Sequence, residues 1–233
     1  TGNQTVLVSD QLVSLMNGTA YAYTNVTIDP RLPEICIIND GDTEYKGAVN
    51  GTAGVAADGS GSNTDLGENN FYTGMKSPIV LISYAEVKFI EAEAQFLANG
   101  GTATSVGSNA TCYAAYMEGI TANMDKMGIS EEDRDLYLSD PLVDVGEVNL
   151  TLQLIMKEKF IAMFLNPESF TDYRRYDFDP NVFNGLELPE DHHVDRAGQW
   201  VRRASYPSSE FSRNGDNVEA VQKDVTVPVW WDN

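Results

Sequence analysis

The chain is short of positive charge. Of its 233 residues, 15 are Lys or Arg against 35 Asp or Glu, a formal net charge of −20. Such a surface repels phosphate backbones and anionic headgroups alike, which disfavours nucleic acid and direct binding to a membrane surface. Cysteine is nearly absent. Cys36 and Cys112 make neither a disulfide framework nor the close pairs that zinc requires, so two buried thiols are expected, with one Cys36–Cys112 disulfide as the alternative. No apolar run is long enough to span a bilayer. Also missing are a Gly-rich phosphate loop, a Ser/His/Asp nucleophile signature and a Cys/His catalytic pattern. No catalytic residue is assigned, and the chain is expected not to be an enzyme.

What is present is an ordinary globular composition, 42% hydrophobic and 21% charged, in a chain long enough to bury a sizeable core. Residues 1–76 hold many turn residues and little helical periodicity, with a Gly/Ser/Asn/Asp-rich stretch from Gly47 to Asn70 and a short extended piece from Glu34 to Ile38. Helical signals begin at Ser83, which forms a capping box with Glu86 ahead of Val87, Phe89, Ile90, Ala94, Phe96 and Leu97. That helix should end near Asn99-Gly100.

A second helix is expected over Ala110 to Met127, stopped by Gly128, with Tyr113, Tyr116, Met117, Ile120 and Met124 on one face. The two should form an antiparallel pair. A third, over Glu131 to Ser139, has Ser130 as its N-cap. A fourth, from Val148 to Leu165, carries an apolar face too wide for solvent, and Pro167 opens a fifth that reaches Arg175. From Asn181 onward the expectation is loop and turn. The wide faces of the helices from Ser83 and Val148 ask for more partners than the chain supplies, so an exposed apolar patch is expected.

Several clusters have bland readings beside the sharp ones. Glu86, Glu91 and Glu93 could suggest an acid/base pair, but Glu86 caps a helix and acidic neighbours follow from the composition. His192, His193 and Asp195 lie close in sequence, yet adjacent histidines on an extended loop point to opposite sides. Asp40, Asp42 and Glu44 alternate oxygen donors, which leaves room for a structural calcium ion but lacks the central glycine and final glutamate of an EF-hand loop. No cofactor is otherwise expected. Arg174 and Arg175, after Tyr173, could clamp an anion or cap carbonyls and pair with buried acids.

Four blocks fall in an order that resembles the SusD/RagB family of nutrient-binding outer-membrane lipoproteins. They are Asp29 to Pro33 (DPRLP), Ser83 to Ala94 (SYAEVKFIEAEA), Lys157 to Leu165 (KEKFIAMFL) leading to Tyr173-Arg-Arg175, and the close from Arg203 to Asn217 (RASYPSSEFSRNGDN) with VPVWWDN at the end. Phe170 and Tyr173 stand where the family usually has tryptophans. The resemblance implies a mainly α fold, a TPR-like helical scaffold with long irregular loops and few short strands. Residues 1–76 would be a loop-rich part of the ligand-binding side and 77–233 the helical C-terminal region. The N-terminal half of the family fold would be missing.

The function implied is capture of a glycan or other oligomeric nutrient at the outer surface. A SusC-like TonB-dependent transporter and the N-terminal half would be partners, and a lipid anchor upstream of this chain would hold the protein to the membrane. A scaffold that binds a peptide or protein is the alternative, and a carboxylate-dependent glycoside hydrolase the weaker one. Pyranose rings stack on aromatic faces while amides and carboxylates take their hydroxyls. Tyr45, Asp65, Asn69, Asn70, Phe71 and Tyr72, in or beside the polar loop, are therefore the expected ligand-binding residues. Trp230 and Trp231 are expected to close the fold.

Overall fold

The computed structural model describes residues 7–52 and 63–232; the Gly-rich part of the loop between residues 53 and 62 lies outside the described residues. Helices dominate, as the sequence implies: α1 (Asp10–Met16), α2 (Leu32–Ile35), α3 (Tyr84–Ala98), α4 (Ala110–Met127), α5 (Glu131–Leu138), α6 (Leu152–Ala162), α7 (Glu168–Arg175) and α8 (Ser208–Val221). Strands β1 (Cys36–Ile37) and β2 (Asp65–Leu66) pair antiparallel, with Cys36 opposite Leu66. No described helix is long and apolar enough to cross a membrane.

The first helical pair follows from its caps and one glycine. Ser83 Oγ accepts from the Glu86 N–H at 3.1 Å while Glu86 accepts in return from the Ser83 N–H, and Asn109 Oδ1 accepts from the Cys112 N–H to start α4. Gly128, at φ +78°, ends it in the left-handed region. Contacts of Ala92 with Cys112, Phe89 with Gly119 and Tyr84 with Glu118 run in opposite directions along the two helices, so they pack antiparallel. Phe89, Phe96, Tyr116, Ile120 and Met124 join Tyr137 of α5 and Ile155 of α6 in the larger core. A smaller core gathers Leu12, Val13 and Met16 of α1 with Leu32, Ile35, Met127 and Ile161. Cys36 and Cys112 are both buried and free.

Charged groups stitch these parts together. Arg31 is fully buried, with Asp29 and Glu158 each 2.6 Å from its guanidinium, Asn123 at 3.0 Å and the Tyr137 ring beside it. Around α3, α6 and α7, Lys159 bridges Glu93 (3.0 Å) and Asp172 (2.8 Å), and Arg175 reaches the same two carboxylates. The blocks at residues 29–33, 83–94, 157–165 and 173–175 are thus mutual partners in two ion clusters.

Some expectations need correction. The first 76 residues contain α1 and α2, because DQLVSLM buries four apolar side chains within two turns behind the Ser9 cap. The tail contains α8, fourteen residues with Pro207 at its N-cap and a non-helical break at Asn214. Trp230 does not close the fold, being 87% exposed, whereas Trp231 lies 4.5 Å from the Arg174 guanidinium. The helix expected from Val148 starts at Leu152, after a 3-10 turn over Glu147–Asn149, and has nearly all its side chains buried within this chain. Exposed apolar side chains follow one another from Ile79 (90% exposed) through Leu81 (89%) and Ile82 onto α3 at Tyr84, Val87 and Ile90, and others stand apart at Met75, Val148 and Val194.

Candidate ligand cleft

The most capacious of the clefts described, about 820 Å³, opens between α1, the loop at residues 49–50, α7 and the segments at 185–189 and 200–201. Its size lies within the range of small-molecule and oligosaccharide sites. One wall is set by close backbone approach. The Asp10 N–H donates to the Ala48 carbonyl and the Ala48 N–H to that of Val8, both at 2.8 Å. Gly47 permits this, since a Cβ there would sit 2.2 Å from the Asp10 Cα. The other side of the same loop is held by Asn50, whose side-chain amide donates to the Glu187 carbonyl at 3.0 Å and whose own carbonyl accepts from the Glu190 N–H.

The opposite wall is aromatic. Tyr173 of α7 donates its hydroxyl to Gln11 at 2.9 Å, with Phe160 and Phe178 beside its ring. After α7 the chain turns through Asp177 (φ +52°) and Phe178 (φ +56°), a left-handed pair that non-glycine residues adopt at a cost of about 1–3 kcal/mol each. That turn places buried Phe178 flat against Trp200, centroids 4.7 Å apart and planes within 4°. Trp200 is thereby fixed as a half-buried platform at the cleft wall. Asp10 and Glu187 supply carboxylates to the same lining, and Ser14, Asn50 and Thr19 supply neutral polar groups. Burial, and then the Glu187 charge, push the Asp10 carboxyl above the usual aspartate range.

The six residues expected from sequence lie elsewhere. Asp65 is in β2 opposite Ile37, and Asn69 is exposed at φ +56°. Asn70 is engaged in its own turn, accepting from the Tyr72 and Thr73 N–H groups and donating to the Gly67 carbonyl. Tyr45 and Tyr72 are half-buried against the smaller core. Phe71 and Tyr72 meet edge to face, and Lys126 lies 5.3 Å from both rings while donating to the Tyr72 hydroxyl at 3.2 Å. Burial, then the Arg31 charge, push Lys126 down to about 8. Tyr72 and Lys126 line a separate cleft of about 250 Å³ with Glu86 and Phe164.

The larger cleft holds none of the ligand-binding residues expected from the sequence. Its available signal was the aromatic density of Phe170, Tyr173, Phe178 and Trp200 around two prolines, Pro167 and Pro180.

The remaining clusters have structural partners. Glu86 caps α3, Glu91 pairs with Lys88, and Glu93 lies between Lys159 and Arg175. Burial alone would raise Glu93, but those two cations and the Tyr176 hydroxyl outweigh it and hold its carboxyl below the ordinary range. Arg174 donates to the Arg202 carbonyl, the capping role that the sequence left open beside anion binding. His192 and His193 are exposed, and Asp42 pairs with Lys46. Among the described residues no three His, Cys, Asp or Glu gather to hold a metal ion.

Comparison with known proteins adds to this geometry. A SusD-like family model, described as starch-binding associating with outer membrane, matches residues 5–207. A chitin-binding SusD homologue from Flavobacterium johnsoniae aligns at TM-score 0.63 and 20% identity, over 97% of this chain and 49% of that one. SusD homologues from Bacteroides uniformis (18% identity, TM-score 0.60) and Bacteroides ovatus (21%, 0.60) also align over 97% of this chain and 49% and 51% of theirs. The chain thus spans about half the length of the solved structures it matches. A search of curated proteins gave no match.

Proposed function

Because this chain belongs to the SusD-like family, we propose that it binds an oligosaccharide and that the aromatic cleft is where it does so. One observation carries the reading: Trp200, held flat on Phe178 at the wall of a cleft of about 820 Å³ that also presents Asn50, Ser14 and carboxylates. A rigid ring offers a stacking face to a pyranose at small entropic cost, and the amides and carboxylates take its hydroxyls. The chitin named in the description of the Flavobacterium neighbour is the first ligand to try, with starch from the family description beside it.

The wider role is binding without turnover, at the outer surface of the outer membrane, in partnership with a SusC-like transporter and through an upstream lipid anchor. The strip at Ile79–Ile82 and the outer side of α3 support one further part of this reading. In a protein of the relatives' length, the other half of the fold covers that face.

The test is a titration with chitin and starch oligosaccharides, run beside a turnover assay. Trp200→Ala should weaken binding by about fivefold or more, on the order of 1 kcal/mol, with unchanged helix content. Tyr72→Ala should leave it intact. Loss in Tyr72→Ala with no change in Trp200→Ala would return the site to the 65–72 loop.

A further inference from the structure

The cleft carries charge of one sign. Asp10 and Glu187 both line it, and no Lys or Arg side chain does. Asp10 is half-buried and Glu187 exposed, and neither has an ion-pair partner among the described residues. Two guanidiniums touch the aromatic wall, and among the described residues only that of Arg202 is paired with acids, the Arg174 Nε having no hydrogen-bond partner. Arg202 lies over Phe178 and pairs with Asp177 and Asp232, and Arg174 lies over Phe170 and donates to the Arg202 carbonyl.

Like charges held together cost free energy that a cation relieves, and more so where water is partly excluded. The rise in the Asp10 carboxyl, from burial and from Glu187, is the expected trace of that arrangement. A cation that also shows flat C–H faces to Trp200 is an amino sugar.

Resting on the reading of the cleft as a glycan site, we propose that it selects glycans with free amines, Asp10 and Glu187 receiving the ammonium groups while Trp200 stacks on the ring. An N-acetylated or hydroxylated sugar keeps the stacking and loses the ion pairs.

The experiment compares a glucosamine oligomer with its fully N-acetylated counterpart of equal length, by titration calorimetry in low and high salt, at a mildly acidic pH that keeps the amines protonated. The expected result is about tenfold tighter binding of the glucosamine oligomer in low salt, shrinking as salt rises. Asp10→Asn with Glu187→Gln should erase that preference. Asp216→Asn with Glu219→Gln, which removes equal charge from exposed positions on α8, should keep it.

Equal affinities that both fall in Trp200→Ala would overturn the amine preference and leave the glycan site standing. A preference that survives in the cleft variant, or falls equally in the α8 variant, would assign it to the net charge of −20 and overturn it too. Failure of both oligomers to bind would overturn the inference and the glycan site together. Oligolysine bound more tightly than the glucosamine oligomer, with loss in the cleft variant, would make the cleft a site for basic peptides instead.

Discussion

Arg31 and Glu158 have no contact with solvent, so each depends on the other for its charge. Burial alone would raise Glu158, but Lys157 and Arg31 outweigh it and hold the carboxyl at about 2, below its ordinary 4.5. A carboxylate depressed in this way stabilises the fold above its unfolded pKa, and that stability is lost as pH falls through the window from about 4.5 to about 2. Urea unfolding followed across that window should show a midpoint that drops with pH, and a shallower drop in Glu158→Gln. Arg31→Ala strands Asp29 without its cation and leaves Glu158 with Lys157 alone, and should cost about 3–5 kcal/mol at neutral pH, if the variant folds at all. A loss under about 1 kcal/mol would mean that water reaches the cluster.

At the level of elements, α3 and α4 approach through Gly119, where a Cβ would lie 2.9 Å from the fully buried Phe89 ring. Helix propensity favours alanine over glycine by about 1 kcal/mol, while overpacking a core costs about 1–3 kcal/mol. Gly119→Ala should therefore destabilise, visible as a lower thermal midpoint, and a rise would show that Phe89 can move aside. These two helices were legible in the sequence because Ser83, Glu86 and Gly128 mark their ends and apolar residues repeat along one face.

Helices α1 and α8 were not legible, for different reasons. The first is under two turns long. The second buries Val218 alone and contains Asn214-Gly215, a turn signal that the structure expresses as a break inside the helix. The aromatic cleft escaped for a third reason. Its lining comes from five stretches between Ser9 and Val201, and no local pattern links them. The polar loop drew attention in its place, although Asn70 spends its amide on its own turn.

On the scale of the whole molecule, a net charge of −20 sits beside an apolar strip that runs from Ile79 to Ile82 onto α3. The purified chain should self-associate through this strip as concentration rises. Ile79→Lys with Leu81→Lys should lower both the sedimentation coefficient at high concentration and the binding of a hydrophobic dye, and leave glycan affinity as it was. Unchanged sedimentation would place the adhesive surface elsewhere.

The stack of Trp200 on Phe178 has an optical consequence. The chain has three tryptophans. Trp230 stands almost wholly in water, Trp231 rests on Arg174, and Trp200 is the one in the cleft lining. In the proposed site, a sugar laid against Trp200 would strip water from its indole and shift its emission to the blue, while Trp230 would supply a constant red background open to iodide quenching. Under that proposal the protein would be its own fluorescent gauge, reading occupancy without a label.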